Sequence, residues 1–190
     1  MIGHPTRTLL YCLIATMAAC VPILPHVDYM PEMAGGKILI DRCWGAPSVE
    51  YRTGNITLTS WIASWPDNKL KLHMQLDVVE GNTVELLSPE VAVSSPLTAG
   101  ATIVRIPGIS LNGNPVLPME PIGPMVGRDL VAYGFRSVRH FWLFVPLDAI
   151  GPTDMRIVLP MLNVNDRIVT LPAITFSRQL RVQLIAPLQC

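Results

Sequence analysis

Residues Lys69 to Val78, KLKLHMQLDV, alternate strictly between apolar and polar positions. Leu70, Leu72, Met74, Leu76 and Val78 fall on one face, and Lys69, Lys71, His73, Gln75 and Asp77 on the other. That period of two predicts a half-buried antiparallel strand. Phe176 to Leu184 repeats the pattern less strictly, with Leu180, Val182 and Leu184 expected inward and Gln179, Arg181 and Gln183 outward. Further strands are predicted at Lys37–Arg42, Asn55–Ile62, Thr83–Val93, Thr102–Ile106, Arg139–Val145, Met155–Leu159 and Arg167–Leu171. Turn signals separate them: Gly81-Asn82, Asn112-Gly113-Asn114-Pro115, Gly151-Pro152 and Asn163-Val164-Asn165-Asp166. Pro118 to Gly127 reads as a long loop, followed by a short helical turn over Asp129 to Arg136. Many short strands with regular turns predict an all-β fold, either a sandwich or a closed barrel.

The run Pro146-Leu147-Asp148-Ala149-Ile150-Gly151 resembles the connection that crosses between sheets in immunoglobulin-like sandwiches, although the tyrosine that often follows is absent. It tilts the expectation toward an immunoglobulin-like antiparallel β-sandwich of about seven to nine strands. The sandwich is expected over residues 37–190, behind an N-terminal signal segment at 1–19 and a Pro-rich tether at 20–36. The tether reading rests on three prolines and a terminal Gly-Gly in Val21 to Gly36, a composition that makes a semi-rigid spacer.

Composition removes several function classes. The 190 residues carry 14 Lys+Arg against 14 Asp+Glu, so the basic face of a nucleic-acid binder is missing. Half of the residues are hydrophobic, too many for a disordered chain. The 18 prolines argue against long helices, because each interior proline loses a backbone donor.

The N-terminus carries an address. Arg7 and the terminal amine precede an uncharged run from Leu9 to Ala19. That run is too short to cross about 30 Å of hydrocarbon but suits the apolar region of a secretory signal. Met17-Ala18-Ala19-Cys20 is similar to the lipobox of bacterial lipoproteins, with Met in place of the usual Leu. The resemblance implies lipid attachment at Cys20, with cleavage just before it, and Val21 after the cysteine favours the outer membrane. Acyl chains contribute about 0.8 kcal/mol per buried CH₂, enough for stable anchoring. Cleavage near Ala19 without lipidation, giving a soluble periplasmic or secreted protein, is the alternative. Cys12 leaves with the signal, so Cys43 and Cys190 remain as an even pair. In an oxidising compartment they are expected to form a disulfide closing nearly the whole chain, with a chain-entropy contribution of at most about 5 kcal/mol. Free thiols, or pairing of Cys190 between chains, stay open.

No catalytic constellation stands out, so no catalytic residue is assigned. His73 reads as a solvated surface residue and His140 as a strand-end residue. Gly108-Ile109-Ser110-Leu111-Asn112-Gly113 lacks the spacing of a nucleophile elbow and reads as a hairpin loop. Trp61 and Trp65 flank a turn and form a candidate ligand face, as in sandwiches that stack sugars on aromatics. His26, Met30 and Met33 are close in sequence, and soft thioether and imidazole groups suit Cu(I). The leading expectation is an envelope protein, lipid-anchored and facing the periplasm, with a non-enzymatic binding or accessory role and no cofactor. Its partners would be the membrane, through the lipid, and an envelope protein or saccharide. A copper-handling sandwich and an exported hydrolase are the alternatives.

Overall fold

Pleating explains why the alternating segments become sheets: successive side chains point to opposite faces, so an alternating strand can cover a core while its other face stays polar. The computed structural model describes residues 23–40, 45–64, 69–111, 125–126 and 138–184. These residues form fifteen strands and, among them, no helix. The strands are β1 (Ile23–Met33), β2 (Lys37–Leu39), β3 (Ser48–Thr53), β4 (Ile56–Ala63), β5 (Lys71–Val79), β6 (Thr83–Leu86), β7 (Glu90–Ser94) and β8 (Ala101–Arg105). They continue with β9 (Ile109–Leu111), β10 (Met125–Val126), β11 (Val138–Pro146), β12 (Met155–Val158), β13 (Leu162–Val164), β14 (Arg167–Val169) and β15 (Ile174–Leu184). They build three open sheets, ordered β1-β15-β12-β7-β8, β10-β6-β13-β14 and β2-β3-β4-β5-β11-β9. Among the described residues the fold is therefore all-β and antiparallel, and no sheet closes into a barrel.

By contact density the chain divides into residues 28–179 and a small unit made of its two ends. Among the described residues, that small unit holds 23–27 and 180–184. The larger unit contains the hydrophobic core. Leu58, Leu72, Met74, Leu76, Leu143 and Val145 enter it from the six-stranded sheet, Val93, Ile157 and Phe176 from the five-stranded one, and Val84, Leu86 and Leu162 from the third. Each such side chain contributes roughly 1.5–3 kcal/mol on leaving water.

Four differences from the sequence reading have local causes. The seven to nine expected strands become fifteen because Thr83–Val93 breaks at Ser88-Pro89 into β6 and β7, and because short pieces such as β10 and β13 join the sheets. Ile23–Met33, within the expected tether, is strand β1. It lies at a sheet edge, where a proline has no ladder bond to lose on its outer side. Ile109–Leu111, read as a loop, is the edge strand β9. Leu180 is 72% exposed instead of facing in, since the pairing of β15 with β12 reaches no further than Phe176 opposite Met155.

Turn chemistry fixes the connections. Gly36 N–H donates to the Met33 carbonyl at 2.9 Å, and Gly35 between them has φ of 74°, the left-handed geometry a type II turn demands. In the β13–β14 hairpin Val164 pairs with Arg167, and Asn165 and Asp166 take φ of 49° and 63°, the I′ pattern. The segment after β11 carries the chain from the six-stranded to the five-stranded sheet. Its Leu147 and Ile150 are buried, and Leu147 N–H donates to the Leu70 carbonyl at 2.8 Å.

Burial pushes the Tyr29 phenol above its ordinary value of 10.0, with Asp154 adding to the rise and Arg178 opposing it. A phenol whose folded pKa is raised keeps its stabilising contribution below the unfolded pKa and loses it as pH rises through the folded one. Urea midpoints should therefore fall above pH 10 more steeply in the native chain than in Tyr29→Phe. Parallel pH profiles of the two proteins would count against this burial effect.

Candidate functional site

The outer face of the six-stranded sheet gathers the chemistry. In β4 and β5 the alternate residues Ile56, Leu58, Ser60, Ile62, Leu72, Met74, Leu76 and Val78 turn into the core, so Thr57, Thr59, Trp61, His73, Gln75 and Asp77 are left on the opposite face. In β11 Phe141, Leu143 and Val145 turn inward, leaving His140, Trp142 and Phe144 outward. Register then decides which of these meet. Trp61 pairs with His73, and His73 with Phe144. Thr59 pairs with Gln75, and Gln75 with Trp142. Thr57 pairs with Asp77, and Asp77 with His140. Three parallel rows result, running across β4, β5 and β11.

The first row and its neighbour form an aromatic cluster. The Trp61 and His73 rings stack with centroids 5.3 Å apart and planes 13° from parallel. Trp142 meets Trp61 edge-on at 5.6 Å, and Phe144 meets His73 edge-on at 5.0 Å. Offset and T-shaped contacts of this kind contribute about 0.5–1.5 kcal/mol each beyond burial. All four side chains are half-buried, so the cluster is neither core nor fully solvated.

The third row is polar. His140 Nδ1 lies 2.7 Å from Asp77 Oδ1, and Gln75 Nε2 donates to the same oxygen at 2.7 Å. Gln75 Nε2 is also 3.3 Å from His140 Nδ1. A carboxylate that accepts a hydrogen bond from Nδ1–H orients the imidazole and turns Nε2 away from it. The arrangement offers an acceptor, an amide and an imidazole within hydrogen-bonding range of one another, beside a bank of aromatic rings.

The sequence-derived site residues fare unevenly. Trp61 stands in the aromatic cluster, and Trp65 lies outside the described residues. So do Cys20, Cys43 and Cys190, the lipidation and disulfide positions. Met33 is buried in the core, while Met30, three residues away on β1, falls on the opposite face by strand alternation. His26 belongs to the small unit. By strand alternation His26 and Met30 share one face of β1 and Met33 takes the other. Among the described residues no group of three His, Cys, Asp or Glu is placed to hold a metal. His73 is packed between Trp61 and Phe144 where a solvated residue was expected, because the strands on both sides supply rings. His140 is paired with Asp77 and is more than a strand-end residue. Ser110 is buried on β9, opposite Trp142 in the register. Trp142, Phe144, Gln75 and Asp77 were missed as site residues. The signal that could have found them is the shared alternation of β5 and β11, read as two polar faces destined for one sheet. Compared with family models, curated proteins and solved structures, the chain matches none.

Proposed function

We propose that this chain is an exported, lipid-anchored envelope protein that works by binding, and that the outer face of its six-stranded sheet is the contact surface. The observation that carries the reading is the outward bank of Trp61, His73, Trp142 and Phe144 beside the Asp77–His140–Gln75 cluster. Contiguous large rings on the outward face of a sheet form the kind of patch that marks interaction sites, where aromatic side chains carry much of the binding energy. The anchor rests on Met17-Ala18-Ala19-Cys20, with Cys20 as the lipidated residue and the outer membrane, facing the periplasm, as its address. Cys43 and Cys190 would be bridged in that compartment. An immunoglobulin-like sandwich is the finer fold reading, supported by the link from β11 to β12 that passes between sheets.

Two measurements test this. Intact mass of protein from the membrane fraction should correspond to a chain beginning at Cys20 with acyl mass added, and should rise by two hydrogens on reduction. Oxidative footprinting should modify Trp61 and Trp142 less in intact cells than in the purified protein. Equal modification in both settings would overturn the contact surface, and an unacylated product would overturn the anchor.

A further inference from the structure

We infer that the ligand of this face is an oligosaccharide, laid across the sheet from the Ser48 side of Trp61 to the Asp77 row. This rests on the outer face being the contact surface, and it adds the ligand's chemical class and its length.

The class follows from the pairing of two kinds of group on one surface. A pyranose ring is apolar on its C–H faces and polar around its rim, where each hydroxyl both donates and accepts. Electron-rich indole faces suit the C–H faces. His73 stacks on one side of the Trp61 ring, and on the other side the row continues to Ser48, whose hydroxymethyl is too small to cover an indole. The rim needs mixed partners, and Asp77, Gln75 and His140 supply an acceptor, an amide with both functions, and an imidazole. Other classes fit less well. Extended peptides add to sheet edges through backbone bonds, while this site lies on a sheet face across β4, β5 and β11. Nucleic acids demand an excess of cations, and the chain carries 14 basic residues against 14 acidic ones.

The length follows from strand geometry. His73 and Asp77 are four residues apart on one strand, a rise of about 13 Å at roughly 3.3 Å per residue. One pyranose stacked at Trp61 cannot reach Asp77. A linked disaccharide or trisaccharide can, passing the Gln75–Trp142 row on the way.

The test uses the full chain and two defined probe series, cello-oligosaccharides and chito-oligosaccharides from monomer to tetramer, titrated by calorimetry and tryptophan fluorescence. Affinity for at least one series should rise from monomer to trimer and then level. Trp61→Ala should weaken trimer binding about tenfold, the equivalent of one lost ring contact, while Trp61→Phe retains most of it. Asp77→Asn should weaken the trimer and leave the monomer unchanged. Thermal midpoints of the three variants serve as the folding control, with Asp77→Asn carrying the conclusion should Trp61→Ala fail to fold: equal affinity of that variant and the native chain for the trimer would overturn the inference. Absence of binding by both series, affinity independent of length, or full affinity in folded Trp61→Ala would each overturn the inference. Footprint protection in cells together with no glycan binding would remove the saccharide and keep the contact surface. Loss of that protection would remove both.

Discussion

Phe176→Ala should lower the stability of the folded chain by about 3–5 kcal/mol, the range for truncating a fully buried aromatic ring. Phe176 has no exposed surface, pairs with Met155 in the β15–β12 register, and shares the core with Ile157 and Ile174, which are equally buried. Removing the ring forfeits its transfer free energy and leaves a void that a sheet, held by its ladder bonds, collapses into only partly. Leu180→Ala on the same strand is the internal control. Its side chain is 72% exposed, so its effect should stay within about 0.5 kcal/mol. Urea denaturation of the two variants decides the matter, and similar midpoints would show that β15 does not leave the core where the structure has it leave.

The second large effect is expected at an exposed turn. Asn165 holds a left-handed backbone and makes three side-chain contacts. Its Oδ1 accepts from Thr83 N–H at 2.8 Å and from Thr83 Oγ1 at 3.4 Å, and its Nδ2 donates to Asn82 Oδ1 at 2.8 Å. Asn82 is buried and donates in turn to the Val79 and Glu80 carbonyls at 2.9 and 3.0 Å. One amide thus ties the β13–β14 turn to the turn between β5 and β6. Asn165→Ala should cost about 2–3 kcal/mol, combining left-handed strain with lost bonds to partly buried groups. Asn165→Gly tolerates the backbone and loses only the bonds, so it should fall between alanine and wild type. If glycine and alanine destabilise equally, the backbone strain contributes nothing.

How much of this was legible depended on how local each signal was. The alternation of Lys69–Val78 placed β5 and its two faces correctly, and β4 and β11 followed from the same reasoning. Turn residues at Gly81-Asn82 and Asn163 to Asp166 marked real turns. Strand β3 escaped because only Val49 and Tyr51 carry its pattern, although Gly54-Asn55, with φ of 56° at Gly54, closes a two-residue hairpin to β4. Strand β1 escaped because proline reads as linker until its neighbour is known, and an edge position is a tertiary fact. The site was legible in halves. Trp61 was visible as an aromatic beside a turn, and His73, Gln75 and Asp77 as the polar face of one strand. Their meeting with His140, Trp142 and Phe144 depends on a β5–β11 register between residues more than sixty positions apart, as in the Asp77–His140 contact. No local pattern encodes that register. The cysteine chemistry at Cys20, Cys43 and Cys190 lies outside the described residues.

The order of the five-stranded sheet has a consequence in time. Its first strand by sequence, β1, lies beside β15, the last. While the chain is being made, β1 has no strand beside it in this sheet until β15 has left the ribosome. Closing that contact early carries the entropy of an almost full-length loop, which grows with loop length and slows folding. Such a chain stays open late in its synthesis. A sheet ordered in this way is completed only when β15 arrives, so docking of β1 with β15 is expected among the last steps of folding.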